Sequence, residues 1–392
     1  MQSSQVRLTL LLGALTAFAP LSIDMYLPAF PALATYFRAD ATGIQLTLSA
    51  FFIGLAAGQV LYGPASDRFG RKRPLYFGLA LFIVASIGCA LATSLDALIV
   101  WRFLQAIGGC AGMVISRAVV RDCYDAQGSA KVYSQLMLVM GVAPIVAPAL
   151  GAQVMAWLGW SSLFWSLALF GAICAVAAVA TLPETLKPAD RHGGGIGHTL
   201  KGFAALFRDR QFLGLALVGG FASALLFAYI AGSPFVFISR LGLTPDHFGW
   251  LFGANAVGLI GASQLNHRLL GRRSLRQVLR WAVTAEVVAV LALLAAAILA
   301  PGLVTVGVPL FVCLALLGFI MPNAGAAAMA AAGRQAGSAS ALLGTIQFSL
   351  GAVAGGLVGA GNGGGVVAMA VVVAVCGLCA RTALWFTERR AG

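Results

Sequence analysis

Apolar runs of about 20 residues, separated by short polar loops, repeat along the whole chain. That length lets a helix cross a bilayer core, and a helix satisfies its own backbone hydrogen bonds there. The apolar positions do not alternate with polar ones, as the strands of a membrane barrel would require. The pattern predicts twelve helical spans. The first six lie near Val6 to Phe37, Ile44 to Ala65, Pro74 to Thr93, Ala97 to Val119, Lys131 to Ala156 and Ser162 to Pro183. The second six lie near Phe212 to Ile238, Phe248 to Leu265, Leu275 to Ala300, Leu303 to Ala332, Ala339 to Ala360 and Val366 to Phe386. The first run begins like a secretory signal, with Arg7 and an Ala17-Phe18-Ala19 resembling a cleavage site. It continues beyond the usual signal length and is read as a retained span.

Composition agrees with an all-α membrane protein, since 60% of the 392 residues are hydrophobic and only 9% charged. The mean hydropathy is +0.93. Basic residues gather on alternate loops: Arg68, Arg71, Lys72 and Arg73 after the second span, and Lys187, Arg191, Lys201, Arg208 and Arg210 after the sixth. Arg268, Arg272, Arg273, Arg276 and Arg280 flank the eight-to-nine connection. The opposite loops carry little beyond Arg38 and Arg240, so both termini are expected on the cytoplasmic side of a bacterial inner membrane. The net charge of +13 is thus a topology signal. Spread over separate loops without interleaved aromatics, these bases do not make a nucleic-acid surface. Seven cysteines lie within apolar runs, and His192, His198, His247 and His267 are scattered. The spacing gives no metal site and no nucleophile-base pair, so neither an enzyme nor a bound cofactor is expected.

The hydrophilic stretch Thr185 to Asp209, which contains His192-Gly-Gly-Gly195, divides the spans six and six. The expected organisation is a six-helix bundle over 1–183, a cytoplasmic linker loop over 184–210 and a second six-helix bundle over 211–392. Weak internal repetition supports it, with Gly70-Arg71-Lys72 echoed by Gly271-Arg272-Arg273 and Leu27-Pro28-Ala29-Phe30 by Ser233-Pro234-Phe235. Paired halves of this kind serve carriers that rock about a central site.

Asp24 lies inside the first apolar run, where an acid costs about 2.5–3.5 kcal/mol to insert. At that depth a carboxylate is a candidate proton, ion or substrate group. Arg102, within the fourth run, matches it in depth, and an unpaired guanidinium there is expensive. A switchable Asp24–Arg102 pair is therefore expected, the alternative being that Arg102 bonds span-one carbonyls or Gln105 and only holds helices together. Asp122 is expected to pair with Arg71 or Arg121, and Glu286 to reach toward Arg280 or Arg276.

Several motifs give a family resemblance across essentially the whole chain. Gly63-Pro-Ala-Ser-Asp67-Arg68-Phe-Gly70-Arg71-Lys72-Arg73, between the second and third spans, resembles the cytoplasmic signature of the major facilitator superfamily. Arg102-Phe-Leu-Gln105-Ala-Ile-Gly108 resembles its fourth-helix motif, and Gly141-Val-Ala-Pro144-Ile-Val-Ala-Pro148-Ala-Leu-Gly151 its fifth-helix antiporter motif. With Asp24-Met-Tyr-Leu-Pro28, Ile44-Gln45-Leu-Thr-Leu-Ser49 and Tyr229-Ile-Ala-Gly-Ser-Pro234-Phe, they resemble the bicyclomycin and chloramphenicol resistance branch of drug/proton antiporters.

That resemblance implies alternating access, protons as the coupling ion, and Asp24 with Arg102 as coupling residues. In the first motif Gly63 and Gly70 permit a tight turn and close helix approach, while Asp67, with Arg68, Arg71 and Asp122 nearby, forms a gate. Asp67 would cap the eleventh span near Gly337 to Ser340. Pro144 and Pro148 would kink the fifth span, with Gly141 and Gly151 admitting a close neighbour to form a seal. Gly54 and Gly58, with Gly351, Gly355 and Gly359, read as small-residue stripes for close contacts across the halves. The substrate is expected to be a small lipophilic compound held by Tyr26, Phe30, Gln45, Phe52, Gln105, Phe227, Tyr229, Asn255, Asn323 and Gln347. Thr16 stands where some such carriers place a second acid, which suggests one proton per substrate. A functional monomer in the bilayer is expected. Export of an endogenous metabolite, proton symport with the opposite pH dependence, and a non-transporting receptor are the competing readings.

Overall fold

The structure, a computed structural model, describes every residue except 1, 125, 187–194, 334–335, 362–364 and 389–392. All regular elements among the described residues are helical. Among the described residues ten helices are long and apolar enough to cross a membrane. The two other expected spans correspond to α7 (Ala126–Leu158), whose apolar part is Val142–Leu158, and α11 (Pro245–Leu270). The twelve-helix membrane architecture therefore stands.

The chain forms two compact units. The first comprises Met1–Ala29 and Ala50–Leu200, and the second Phe30–Ser49 and Lys201–Gly392. In the first unit the opening span is broken into α1 (Gln2–Thr16), α2 (Phe18–Asp24) and a 3-10 turn at Leu27–Ala29. It resumes as α3 (Phe30–Phe37) in the second unit. Prolines cause the break. Pro28 and Pro31 have no N–H to donate to the carbonyls of Asp24 and Leu27, four residues earlier in each case. The interruption is tolerated because it is buried in protein rather than facing lipid.

Helix α4 (Ala41–Phe69) starts beside Asp40, whose Oδ1 accepts from the Gly43 N–H at 2.8 Å. It ends at Gly70, whose φ of 85° makes the sharp turn into α5 (Lys72–Ala90). Ser94 then caps α6 (Leu95–Cys123), accepting from the Ala97 N–H at 3.2 Å. Helix α5 packs along α6 and α8 (Ser161–Thr181), and α1 and α2 pack on α6, α7 and α8.

The second unit is organised around α10 (Arg210–Ser233), which packs on α13 (Leu303–Ala332), α14 (Ala336–Ala360) and α15 (Val366–Glu388). Helix α12 (Leu275–Leu299) lies on α13 and α15 and opens with a Ser274/Gln277 capping box. After α10 the chain runs on as a π-helix over Pro234–Arg240, so the proline echo of the first span also marks irregular backbone. The linker, expected as a loop, contains α9 (Gly195–Arg208), while 187–194 lies outside the described residues. Phe203 and Leu206, three residues apart, are buried on one face of α9, and Gly202 meets Ser338.

Segment Phe30–Ser49 packs with the second unit through specific bonds. Thr42 Oγ1 donates to the Gly359 carbonyl at 2.6 Å, and Gln45 Nε2 to the Ala231 carbonyl at 3.0 Å. The Phe30 ring lies 5.8 Å from that of Phe235.

The Gly70 turn gives a first prediction. An L side chain at its positive φ costs about 1–2 kcal/mol, so Gly70→Ala should lower the thermal unfolding midpoint of the detergent-solubilised protein. An unchanged midpoint would show that the turn relaxes freely.

Candidate functional site

Asp24 sits at the end of α2, against the broken turn of the first span, and is 3% exposed. The break is held from the side by α7. A Cβ built on Gly151 would collide with the Met25 carbonyl, so only glycine lets the α7 backbone touch the residue following Asp24. Pro148, one turn earlier, is buried and Pro144 half-buried within the same helix. The surroundings of Gly141 lie outside the described residues.

Arg102, on α6, is 0% exposed. Its guanidinium carbon lies 4.2 Å from the Phe51 ring centre, 4.5 Å from that of Tyr26 and 5.8 Å from that of Phe164. Nη1 donates to Gln105 Oε1 at 2.7 Å. Gln105 Nε2 donates to Ser86 Oγ at 2.8 Å, and Ser86 Oγ donates to the Phe82 carbonyl at 2.7 Å. Nε and Nη2 of Arg102 have no hydrogen-bond partner. The expected ion pair with Asp24 is not formed in this structure, and the bond to Gln105 stands in its place.

Energies show why this matters. A desolvated cation-π contact contributes about 2 kcal/mol, whereas burying an ion costs several kcal/mol even after relaxation. Three rings and one amide oxygen offset part of that penalty and leave two donors unmet. The site thus has a standing demand for a carboxylate or another strong acceptor.

The remaining expected substrate residues fall into separate groups. In the first unit Tyr26 and Gln105 are engaged with Arg102, and Phe52 is buried on α4. In the second unit Phe30 and Gln45 bind the irregular end of α10, and Phe227 stacks on Phe348 at 5.7 Å. Tyr229 stacks on Phe252 at 5.4 Å, and Asn255 Nδ2 donates to its hydroxyl at 3.0 Å. Asn323 Nδ2 donates to Asn266 Oδ1 at 2.8 Å. Gln347 is half-buried beside Gly219. Asn266 was not anticipated, although its spacing from Asn255 brings both to one face of α11 after three turns.

A second cluster surrounds the α4–α5 turn. Arg71 is 1% exposed and grips Asp122 with Nε at 2.8 Å and Nη2 at 3.2 Å. Its Nη1 donates to Asp67 Oδ1 at 2.6 Å and to Ser66 Oγ at 2.9 Å. Burial acts to lower the Arg71 pKa, but the bonds to Asp122 and Asp67 outweigh it and hold the group above its ordinary value. Glu184 accepts from the Arg71 N–H at 2.8 Å and the Lys72 N–H at 3.3 Å, placing a carboxylate on the N-terminus of α5. Thr185 donates to Asp122 at 2.9 Å. Ser66, Glu184 and Thr185 carry no local signal for these roles. Gly63 does not mark a close helix approach, because an added Cβ there meets nothing within 4 Å. Arg68 is exposed over the Phe69 ring. The expected Asp67 cap near Gly337 falls partly on side chains outside the described residues.

Two further expectations, the glycine stripes and Glu286, are corrected, the first only in part. Gly54 and Gly58 abut Phe103, Ala106 and Cys110 of α6, and Gly351 abuts Phe227 of α10. Gly355 and Gly359 of α14 do meet Ser49, Thr42 and Gln45 of α4, as expected. Glu286 does not reach Arg280 or Arg276. It is 1% exposed and set against the Cys313 thiol, and Arg280 Nε pairs instead with Glu388 at 3.4 Å. Six residues at about 100° each turn Glu286 well away from the Arg280 side of α12. Among the described residues no His, Cys, Asp and Glu group could hold a metal ion.

Residues 12–356 match the family described as Major Facilitator Superfamily. An MFS-type transporter of Bacillus subtilis, YdgK, is 37% identical over 357 residues, spanning 91% of this chain and 89% of that protein. A bicyclomycin resistance protein homolog of Haemophilus influenzae is 31% identical over 359 residues, spanning 91% and 90%. The xylose transporter XylE from E. coli, in a partially occluded inward open conformation, matches in fold with a TM-score of 0.76 at 13% identity. It covers 100% of this chain and 98% of its own.

The α7 contact gives a second prediction. Gly151→Ala should force α7 off the Met25 carbonyl, destabilise the protein by about 1–3 kcal/mol and depress transport. Gly307→Ala is the stability control, since an added Cβ there meets nothing within 4 Å. Equal thermal midpoints for the two variants would contradict the contact.

Proposed function

The chain belongs to the Major Facilitator Superfamily, and on that premise we propose that it is a proton-coupled exporter of small lipophilic compounds. It is a multi-pass membrane transporter and not an enzyme. The observation that carries the proposal is the buried Asp24 at a proline-broken turn in the same unit as a buried Arg102 with two unmet donors. The bicyclomycin resistance name of the Haemophilus relative supports a drug of that kind as substrate.

In the proposed cycle Asp24 alternates between a protonated form and a carboxylate that takes the free Nε and Nη2 of Arg102. The arrangement seen, with Arg102 held by rings and Gln105, belongs to the protonated half of the cycle. Taking up a proton releases Asp24 from Arg102, which couples proton entry to a change in the broken turn and in the α7 backbone resting on it. One acid gives one proton per substrate. The Arg71–Asp122–Asp67 cluster holds the α4–α5 turn as one half of a gate. The basic loops support a reading with both termini on the cytoplasmic side of a bacterial inner membrane.

Asp24→Asn keeps the shape of the side chain and removes its titration. In everted membrane vesicles with an imposed pH gradient, bicyclomycin or chloramphenicol uptake should fall to the no-gradient level. The variant should still insert and migrate as a folded species. Gradient-driven flux at the wild-type rate would sink the assignment of Asp24 as the coupling acid. Flux driven in the opposite direction would identify a symporter.

A further inference from the structure

A groove of about 520 Å³ lies wholly within the first unit, on the flank of α4, α5 and α6 near the Gly70 turn. Leu61, Ala65, Phe77 and Ile107 line its body, and Arg68 and Arg73 stand at its rim. The surface around it is apolar: Leu61 is 40% exposed, Phe69 47% and Phe77 65%. In a membrane transporter such a flank meets lipid chains. Tyr62 also lines the groove, is 4% exposed, and its hydroxyl has no hydrogen-bond partner. That hydroxyl is sealed in the packing against Gly78, so the groove meets only the Tyr62 ring.

Charge decides what fills the groove. Arg68 and Arg73 have no acid partner among the described residues. The carboxylates nearest in the fold are already engaged: Asp67 and Asp122 by Arg71, and Glu184 by the backbone that opens α5. The rim therefore carries two exposed cations without a salt bridge above an apolar channel. We propose that this groove binds one anionic phospholipid, with an acyl chain along Leu61, Ala65 and Ile107 and its phosphate between Arg68 and Arg73. The acyl chain contributes little selectivity, because leaving other lipid chains for this groove gains no hydrophobic free energy. Discrimination comes from the headgroup, at roughly fivefold per arginine and roughly twenty-five-fold for the pair. A free phosphate ion would satisfy the rim and leave the apolar body empty.

The test is native mass spectrometry of the delipidated full-length protein offered equal amounts of phosphatidylglycerol and phosphatidylethanolamine in detergent. The wild type should retain one phosphatidylglycerol with a preference on the order of 25-fold. Arg68→Gln with Arg73→Gln should bring that preference close to unity. Ala65→Trp keeps both arginines and fills the body of the groove, so it should also lose the bound lipid. Arg121→Gln removes an exposed base outside the groove and should keep the full preference, with circular dichroism confirming the fold of each variant. Unchanged preference in the double arginine variant would overturn the proposal. So would full retention in Ala65→Trp, or a loss in Arg121→Gln equal to that in the double variant, since either would mean diffuse charge attraction. Displacement of the lipid by millimolar inorganic phosphate alone would identify a simple anion site and overturn it as well.

Discussion

A guanidinium buried at membrane depth without a carboxylate is the constraint from which the first unit is best understood. Arg102 is sealed from solvent, ringed by Tyr26, Phe51 and Phe164, and bonded to Gln105, yet two of its nitrogens remain unmet. Removing water from a charge costs several kcal/mol, which three ring contacts offset without meeting the two remaining donors. An arrangement of this kind is stable only where surrounding packing holds it, and it favours any neighbouring state that brings an acceptor closer. Asp24 is two residues before Tyr26, on the broken turn whose own ring covers the cation.

The backbone around that acid is correspondingly irregular. Pro28 and Pro31 strip hydrogen bonds from the first span just beyond Asp24, and Gly151 lets α7 press on the loosened turn. The second unit repeats the device with its own chemistry, as α10 gives way to a π-helix at Pro234. Other buried polar groups are paired, among them Asn266 with Asn323, Asn255 with Tyr229, and Arg71 with two acids. The hydroxyls of Ser22, Ser49, Tyr62 and Ser223 and Gln45 Oε1 are neutral groups without a partner, whereas Arg102 is a cation with two donors unmet. Glu286 lies in the packing of α12 beside Cys313, far along the chain from Asp24 and Arg102, and has no role in the cycle proposed here.

Much of this was legible in the sequence because membrane depth makes each polar residue conspicuous. The spans, the acid at Asp24 and the complementary charges Arg71 and Asp122 at span ends all follow from hydropathy and sign alone. What stayed hidden depends on rotation about a helix or on distant chain. Glu184 reaches the α5 N-terminus from more than a hundred residues away, and no local pattern announces it. The rings around Arg102 come from separate segments of the chain, so spacing on any one of them is silent. For Glu286 the side of the helix was misread. Gly63 and Gly70 look alike in the motif, yet only Gly70 has a positive φ. Helix α9 was masked by the glycine run and charges before it, although the Phe203 and Leu206 spacing carried a helical signal.

The central claim is that Asp24 exchanges a proton for substrate by trading its proton for Arg102. The most direct measurement is proton release when bicyclomycin or chloramphenicol is added to purified wild-type protein in weakly buffered detergent near neutral pH. The account predicts close to one proton released per substrate bound, and none from Asp24→Asn at matched occupancy. Saturable binding with no proton release from the wild type, or equal release from both proteins, would contradict it.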